Sequence, residues 1–245
     1  MNAEVNCNGK KMKHNPKFIY PKSTRATIEG ERHYDLGAAK LPSVTTILSA
    51  TQPPEKTKAL AAWKLRVGAN EATRIVDSSA TRGTAMHRII ESYLTGQYHL
   101  DLTNVGRNAH NMAQTIIKNG LDNKITEYYG IEATLYYPGL YAGTTDLVAQ
   151  HIGQDSIIDF KQTNKPKKRE WIEDYFVQIA AYAMAHDYVY GTTIKKCVVM
   201  MCDPNNLYQE FVIRDHEVKN YKHRFLRRLD EYYNKQAKNE FIDKT

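Results

Sequence analysis

Cysteine is scarce in this sequence, which has three such residues among 245: Cys7, Cys197 and Cys202. They include no Cys-x-x-Cys pair and cannot form a full set of disulfides, so we expect a reducing compartment. No apolar run reaches the roughly 20 residues that span a membrane, and the polar N-terminal residues do not resemble a signal peptide. These absences predict a soluble, cytoplasmic protein with no membrane partner.

Phenylalanine is also rare, with 6 residues against 17 tyrosines. Tyrosine suits half-buried packing and can also stack on nucleic-acid bases. Lys and Arg number 34 against 27 Asp and Glu, which gives a net charge of +7. Such an excess favours a polyanionic partner, although many basic proteins bind no nucleic acid. With 42% hydrophobic and 25% charged residues, the composition is typical of a globular domain.

The length favours one domain with a distinct N-terminal segment, and the sequence contains no internal repeat. Residues 1–40 carry eight Lys or Arg against four acids and little apolar periodicity, so we expect a basic arm or a peripheral hairpin there. Residues 41–245 are predicted to form the domain itself. Within it we expect a helical part at 41–125, a core at 126–214 and a C-terminal helix at 215–236.

Apolar periodicity and capping signals predict the elements. Ser43 is a candidate N-cap and Gly96 a candidate helix stop. The helices are expected at residues 57–67 (with Leu60, Trp63 and Val67 on one face), 84–94, 107–118, 172–188 and 215–235. The strands are expected at residues 18–20, 131–137, 144–151, 156–160, 194–201 and 208–213. The order helix, sheet, helix predicts an α/β (α+β) fold, with a mixed central sheet flanked by helices.

Residues 143–161 carry the most informative pattern, GTTDLVAQHIGQDSIIDFK. Folded as a β-hairpin about residues 153–155, they bring Asp146 beside Asp159. Side chains alternate along a strand, so Asp159 and Lys161 project from the same face. Charged groups within an apolar strand are costly unless they are paired or bind metal, which makes a cation site one interpretation.

An exposed ion pair at a strand end is an equally good interpretation of the hairpin alone. The acid-x-Lys spacing occurs twice more, at residues 122–124 in a polar loop and at residues 217–219 on an amphipathic helix. Neither follows an apolar strand, and neither has an Asp one hairpin upstream.

Three further patterns surround the hairpin. Gln178 and Tyr182 stand four residues apart and share one helix face, as a polar pair on a partly buried helix also would. His87 and Glu91 have the same spacing, although a lone helical histidine is more often structural. The basic run at residues 165–169 is typical of a solvated loop, but it directly follows the candidate metal site, where phosphates would arrive.

Taken in order, these motifs resemble the RecB-like exonuclease branch of the PD-(D/E)XK nucleases. The motifs are Gly83-Thr84-Ala85-Met86-His87, Glu132, Gly143-x-x-Asp146, Asp159-Phe160-Lys161 and Gln178-x-x-x-Tyr182. The stretches IIDFKQTNKPKKREWIEDYFVQIAAYAMAHD and LPSVTTILSATQPPEKTKALAAWK are most similar to the mitochondrial genome maintenance exonucleases and their phage relatives. The resemblance covers residues 41–214 and implies a restriction-endonuclease-like catalytic core.

The resemblance implies a Mg²⁺-dependent deoxyribonuclease, with Mn²⁺ as a substitute ion. Asp146, Asp159 and the backbone carbonyl of Phe160 would ligate the metal, and His87 would complete the shell or bind a second ion. Lys161 would orient the attacking water and contact the scissile phosphate. Gln178 and Tyr182 would brace the site, with Glu91 and Glu132 in auxiliary roles. The expected DNA contacts are Lys165, Lys167, Lys168, Arg169, Arg82 and Arg88.

The implied function is an exonuclease that acts on single-stranded DNA from a free end, in replication, recombination, repair or phage DNA degradation. A phage protein in a host cytoplasm fits this expectation. Helices before the hairpin, with Trp63, Tyr93 and Tyr98, would roof the site over a threaded strand. A duplex-acting or structure-specific endonuclease and a non-catalytic DNA-binding protein are the alternatives. Some relatives carry a four-cysteine iron–sulfur cluster, which three scattered cysteines should not form.

Overall fold

The computed structural model describes residues 4–5, 11–97, 101 and 103–242, and it describes side chains for residues 12–97, 101 and 103–238. These described residues contain ten strands and six α-helices. The strands are β1 (Glu4–Val5), β2 (Lys11–His14), β3 (Thr24–Ile28), β4 (Glu31–Asp35), β5 (Lys40–Pro42), β6 (Ile125–Tyr137), β7 (Tyr141–His151), β8 (Gln154–Gln162), β9 (Lys196–Cys202) and β10 (Tyr208–Arg214). The helices are α1 (Val44–Ala50), α2 (Pro54–Val67), α3 (Ala69–Thr95), α4 (Asn104–Ile116), α5 (Glu173–Tyr190) and α6 (His216–Ile242).

Seven strands form a central sheet in the order β1-β2-β6-β7-β8-β9-β10. Two neighbouring pairs, β2 with β6 and β8 with β9, are parallel, and the other pairs are antiparallel. The parallel step from β8 to β9 is possible because α5 lies between them in the chain and carries it back across the sheet. The mixed central sheet flanked by helices confirms the predicted fold class.

The central strands are buried on both faces, and alternate residues enter different cores. Ile157 and Val199 pack with residues of α1, α5 and α6 on one face. Ile158 and Val198, each one residue away, pack with residues of α3 and α4 on the other. This alternation follows from the two-residue period of a strand. Asp159 lies two residues after Ile157 and therefore projects from the same face of the strand, toward α5.

The N-terminal segment is built into the fold. β2 joins the central sheet beside β6, and β3, β4 and β5 form a second, antiparallel sheet. The strand predicted at residues 18–20 is wrong: the chain there has no regular structure, and Phe18 packs its ring against Tyr129 (5.6 Å between centroids) and His186 (4.7 Å). The predicted division at residue 40 stays a prediction.

Several local predictions are confirmed by the structure. The Ser43 hydroxyl accepts a hydrogen bond from the Thr46 N–H (2.9 Å), which caps α1. Gly96 adopts the left-handed conformation that ends α3, although α3 begins at Ala69 and is longer than predicted. α6 buries the predicted apolar positions Phe225 and Leu229 against α5 and the sheet.

The helix α2 differs from its prediction. None of its residues is buried, and Leu60 is 45% exposed, so the predicted apolar face does not pack into a core. Trp63 is half-buried, Tyr93 on α3 packs against a core and donates to Asp122 (2.8 Å), and Tyr98 lies outside the described residues. No described helix combines the length and the apolar character that crossing a membrane requires.

Candidate active site

The hairpin of β7 and β8 brings two carboxylates together. Leu147 pairs with Ile158, so the next positions along the strands are Asp146 and Asp159. The Phe160 N–H donates to Asp146 Oδ2 at 2.5 Å, and Lys161 Nζ forms an ion pair with Asp159 Oδ2. Both carboxylates are buried, at 8% and 2% exposure. The sheet itself therefore holds both carboxylates and the amine at one point.

Helix α3 adds a histidine to these carboxylates. Met86, Ile89 and Ile90 are buried against the sheet, and this packing turns His87 toward the hairpin. The His87 Nδ1 lies 3.2 Å from Asp146 Oδ1. Its ring meets Phe160 edge to face, with 6.2 Å between the centroids. The helix and the hairpin thus meet through an imidazole–carboxylate contact.

Strand β6 supplies a third carboxylate, from Glu132. Ligand atoms of His87, Glu132 and Asp146 all lie within 4.8 Å of one another. Glu132 has a positive φ of 47°, which is strained for a residue with a side chain and is typical of functional positions. The sequence pattern suggested Glu132 only as an auxiliary group, whereas the geometry makes it as good a candidate ligand as Asp146.

The burial and crowding of these groups shift their pKa values in opposite directions. Burial, followed by the charge of Asp146, raises the pKa of Glu132 to about 7. Burial also raises the pKa of Asp159 to about 6, against the attraction of Lys161. Burial would lower the pKa of His87, but the charge of Asp146 and their hydrogen bond outweigh it and raise the pKa to about 9.

The opposite balance holds for Asp146 and Lys161. Burial works against the charged form of Asp146, but the charges of His87 and Lys161 keep its pKa below the usual value. Burial likewise works against the Lys161 ammonium, yet Asp159 and Asp146 raise the pKa of Lys161. Two buried carboxylates and the half-buried Glu132 thus compete for two protonated bases. A donor set of carboxylate oxygens and one imidazole, crowded enough to raise two carboxyl pKa values, fits a divalent cation.

Gln178 and Tyr182 of α5 form one wall of the site. The Gln178 Nε2 donates to the Tyr182 hydroxyl at 3.0 Å, and both side chains are buried. The Tyr182 ring lies directly on the backbone of β7 at Gly143, where an added Cβ would come within 2.5 Å of Cε1 of the ring. Gly143 is therefore required by the close approach of the ring.

These groups line one cavity of about 520 Å³. Among the predicted residues it includes all of the proposed site side chains, together with Glu91 and Arg88. It also includes Arg25, Arg32 and Tyr34, which the sequence did not suggest. They come from the second sheet, and no motif in the sequence marked them.

The other predicted DNA contacts lie outside this cavity. Arg82 forms a hydrogen bond with Asn164 on the loop after β8. Arg169 forms an ion pair with Glu217 (2.6 Å) and donates to the Val212 carbonyl (3.1 Å), so its guanidinium is held by the protein. Lys165, Lys167 and Lys168 occupy the same loop, none of them lining the cavity.

Comparison with known proteins gives named relatives, although no protein-family model matches the sequence. The chain is 30% identical over 210 residues to mitochondrial genome maintenance exonuclease 1 of Mus musculus, covering 80% of this chain and 60% of that protein. For the Homo sapiens protein the identity is 28% over 220 residues, with 83% and 61% covered. The crystal structure of an alkaline exonuclease from Laribacter hongkongensis superposes with a TM-score of 0.31 and 18% identity, over 65% of this chain and 85% of that one.

The chain spans about three-fifths of the length of the curated relatives that it matches. The resemblance to the mitochondrial genome maintenance exonucleases, predicted from ordered motifs, is confirmed by these identities. The chain is a homologue of the mitochondrial genome maintenance exonucleases.

Proposed function

We propose that this chain hydrolyses phosphodiester bonds of DNA as a metal-dependent exonuclease that acts on a free end of a single strand. The convergence of His87, Asp146, Asp159 and Lys161 in one cavity carries the proposal. The relatives that are 30% and 28% identical to this chain are named exonucleases, which supports the same activity here.

The residues that would hold the metal are Asp146, Asp159, Glu132, His87 and the carbonyl of Phe160. Their oxygen-rich donor set suits Mg²⁺, with Mn²⁺ as a substitute. When bound, the metal would supply charge neutralisation at the phosphate and a more acidic water.

The protein's own groups would position the substrate. Lys161 remains charged beside Asp159, since the neighbouring carboxylates raise the pKa of its ammonium. An ammonium at that point would contact the scissile phosphate. The Gln178–Tyr182 hydrogen bond fixes the wall that α5 provides, so the strand would meet a preformed surface.

The requirement for a free end is supported by a closed ring of chain beside the cavity. Lys56 at the start of α2 forms an ion pair with Asp174 of α5 (2.7 Å). The Asn164 side chain, on the loop that leads to α5, donates to the Ser79 hydroxyl of α3 (2.8 Å). The chain between these contacts closes the ring, and a strand threaded through such a ring must enter by a free end.

The test is cleavage of end-labelled oligonucleotides, single- and double-stranded, with and without Mg²⁺. Asp159→Ala and Lys161→Ala should each reduce cleavage at least about 100-fold, or about 2.7 kcal/mol of barrier. Lys219→Ala is the matched control, because Glu217-x-Lys219 has the same spacing on an exposed helix face. Both site variants should remain folded and bind DNA. Normal cleavage by both, at unchanged thermal stability, would exclude the assigned site.

A closed single-stranded circle tests the requirement for an end. A threading exonuclease should leave the circle intact and stall on a linear strand whose two ends carry bulky adducts. Rapid degradation of the circle would instead indicate an endonuclease, and equal cleavage of duplex would contradict the single-strand preference.

A further inference from the structure

An arginine pair on the β3–β4 hairpin faces the candidate active site. In the antiparallel register Arg25 lies opposite Tyr34, and Arg32 lies two residues before Tyr34. The three side chains therefore project from the same face of the hairpin. All three line the cavity that holds the carboxylates, so this face forms one of its walls.

Neither arginine of this pair forms an ion pair with any described carboxylate, although Glu132, Asp146 and Asp159 line the same cavity. Lys40, on the same small sheet, is by contrast paired with Asp35 at 3.7 Å. Both arginines are exposed residues. The charge of Arg25 acts on Glu132 and opposes the rise in the pKa of that carboxyl. Among the described residues, however, neither arginine has an ion-pair partner, so both guanidinium groups can bind a ligand.

The backbone beneath the arginine pair is held firmly. The Arg32 carbonyl accepts hydrogen bonds from the Ser43 N–H and from the Thr46 hydroxyl, each at 3.0 Å. The hydroxyls of Ser23 and Thr134 are hydrogen-bonded at 2.8 Å, which fixes the chain just before β3 to β6 of the central sheet. A ligand that binds the pair therefore needs to order only two side chains, which limits the entropic cost of binding.

The guanidinium fork matches the oxygens of a phosphate group and binds it in a bidentate manner. The carboxylates of the site would repel such a group unless a cation neutralises them, whereas the arginine wall attracts it directly. Arg88 of α3 also lines the cavity, so basic groups reach it from two elements. A strand entering the cavity would meet these arginines as well as the carboxylates.

We propose that Arg25 and Arg32 form a phosphate-binding pair that holds a phosphate of the strand beside the one being cleaved. This role rests on the proposed nuclease function and extends it, because it gives the N-terminal sheet a part in substrate binding. The phosphate is either an internal diester or a terminal monoester, since the same fork binds both.

The test measures equilibrium binding of a fluorescent single-stranded oligonucleotide in EDTA over a series of salt concentrations. The double variant Arg25→Gln/Arg32→Gln is compared with Lys219→Gln/Arg227→Gln, which removes the same charge from the exposed face of α6. We expect the first to lose at least about tenfold in affinity. Its slope of log affinity against log salt should fall by about 0.7, because one phosphate of the single strand loses its contact. The control should stay within about twofold of the unchanged protein.

Oligonucleotides with and without a terminal phosphate show whether the arginine pair binds an internal diester or a terminal monoester. An equal loss on both assigns the pair to an internal phosphate, and a loss confined to the phosphorylated strand assigns it to the terminus. Affinity and salt slope equal to those of the control variant, with both proteins folded, would overturn the proposal. Because binding is measured without metal, failure of the unchanged protein to cleave DNA would count against the nuclease function alone.

Discussion

The contact of Gly143 with Tyr182 allows a quantitative test of how the site is built. Gly143 has no positive φ, so alanine fits the backbone there and would by itself stabilise the fold by about 0.4–1 kcal/mol. The added Cβ, however, would lie 2.5 Å from Cε1 and 3.2 Å from Cζ of the Tyr182 ring. The ring is 3% exposed and cannot move freely. We therefore expect Gly143→Ala to destabilise the protein by about 1–3 kcal/mol.

A double-mutant cycle measured by urea unfolding isolates this contact. In a Tyr182→Ala background the clash is absent, so Gly143→Ala should stabilise the protein by about 0.4–1 kcal/mol. The coupling energy should then exceed the single-variant cost and amount to about 1.4–4 kcal/mol.

Gly83→Ala serves as the matched control. Its Cβ would meet only Gln162 Cβ, at 3.7 Å, and it should stabilise α3 by about 0.5–1 kcal/mol. Equal stability of Gly143→Ala and the unchanged protein, or the same cost in both backgrounds, would refute the argument.

Three further outcomes are expected. His87→Ala should reduce cleavage at least about tenfold, which corresponds to about 1.4 kcal/mol of barrier. His110 is exposed, so His110→Ala should change cleavage little in the same steady-state assay. The opposite ranking would contradict the assigned site. Metal affinity should rise with pH, because the pKa values of His87 (about 9) and Glu132 (about 7) require both to lose protons before they bind a cation. Calorimetry in buffers of different ionisation enthalpy would detect these protons, and a pH-independent affinity would oppose the assignment. Burial lowers the pKa of His186 to about 4, so the protein should lose stability as the pH falls from about 6.5 toward 4. Urea unfolding should show a loss of about 1–2 kcal/mol between pH 7 and pH 5. A smaller loss in His186→Gln would identify His186 as the source of this pH dependence.

The sequence alone determined the features that depend on neighbours in the chain. Alternation along β8 placed Asp159 and Lys161 on one face, and the hairpin set Asp146 opposite Asp159. The helical period likewise put Gln178 and Tyr182 together on α5. These relations are predictable because strand and helix geometry fix side-chain direction over a few residues.

Only the tertiary structure decided which distant segments meet the hairpin. Glu132 joins His87 and Asp146 because β6 pairs with β7 and adopts a strained conformation at that residue, which no local pattern reveals. Arg25 and Arg32 reach the cavity because the second sheet packs on β7 more than 100 residues later in the chain. Sheet order and packing of this kind arise from the burial of the whole core, so local periodicity cannot specify them.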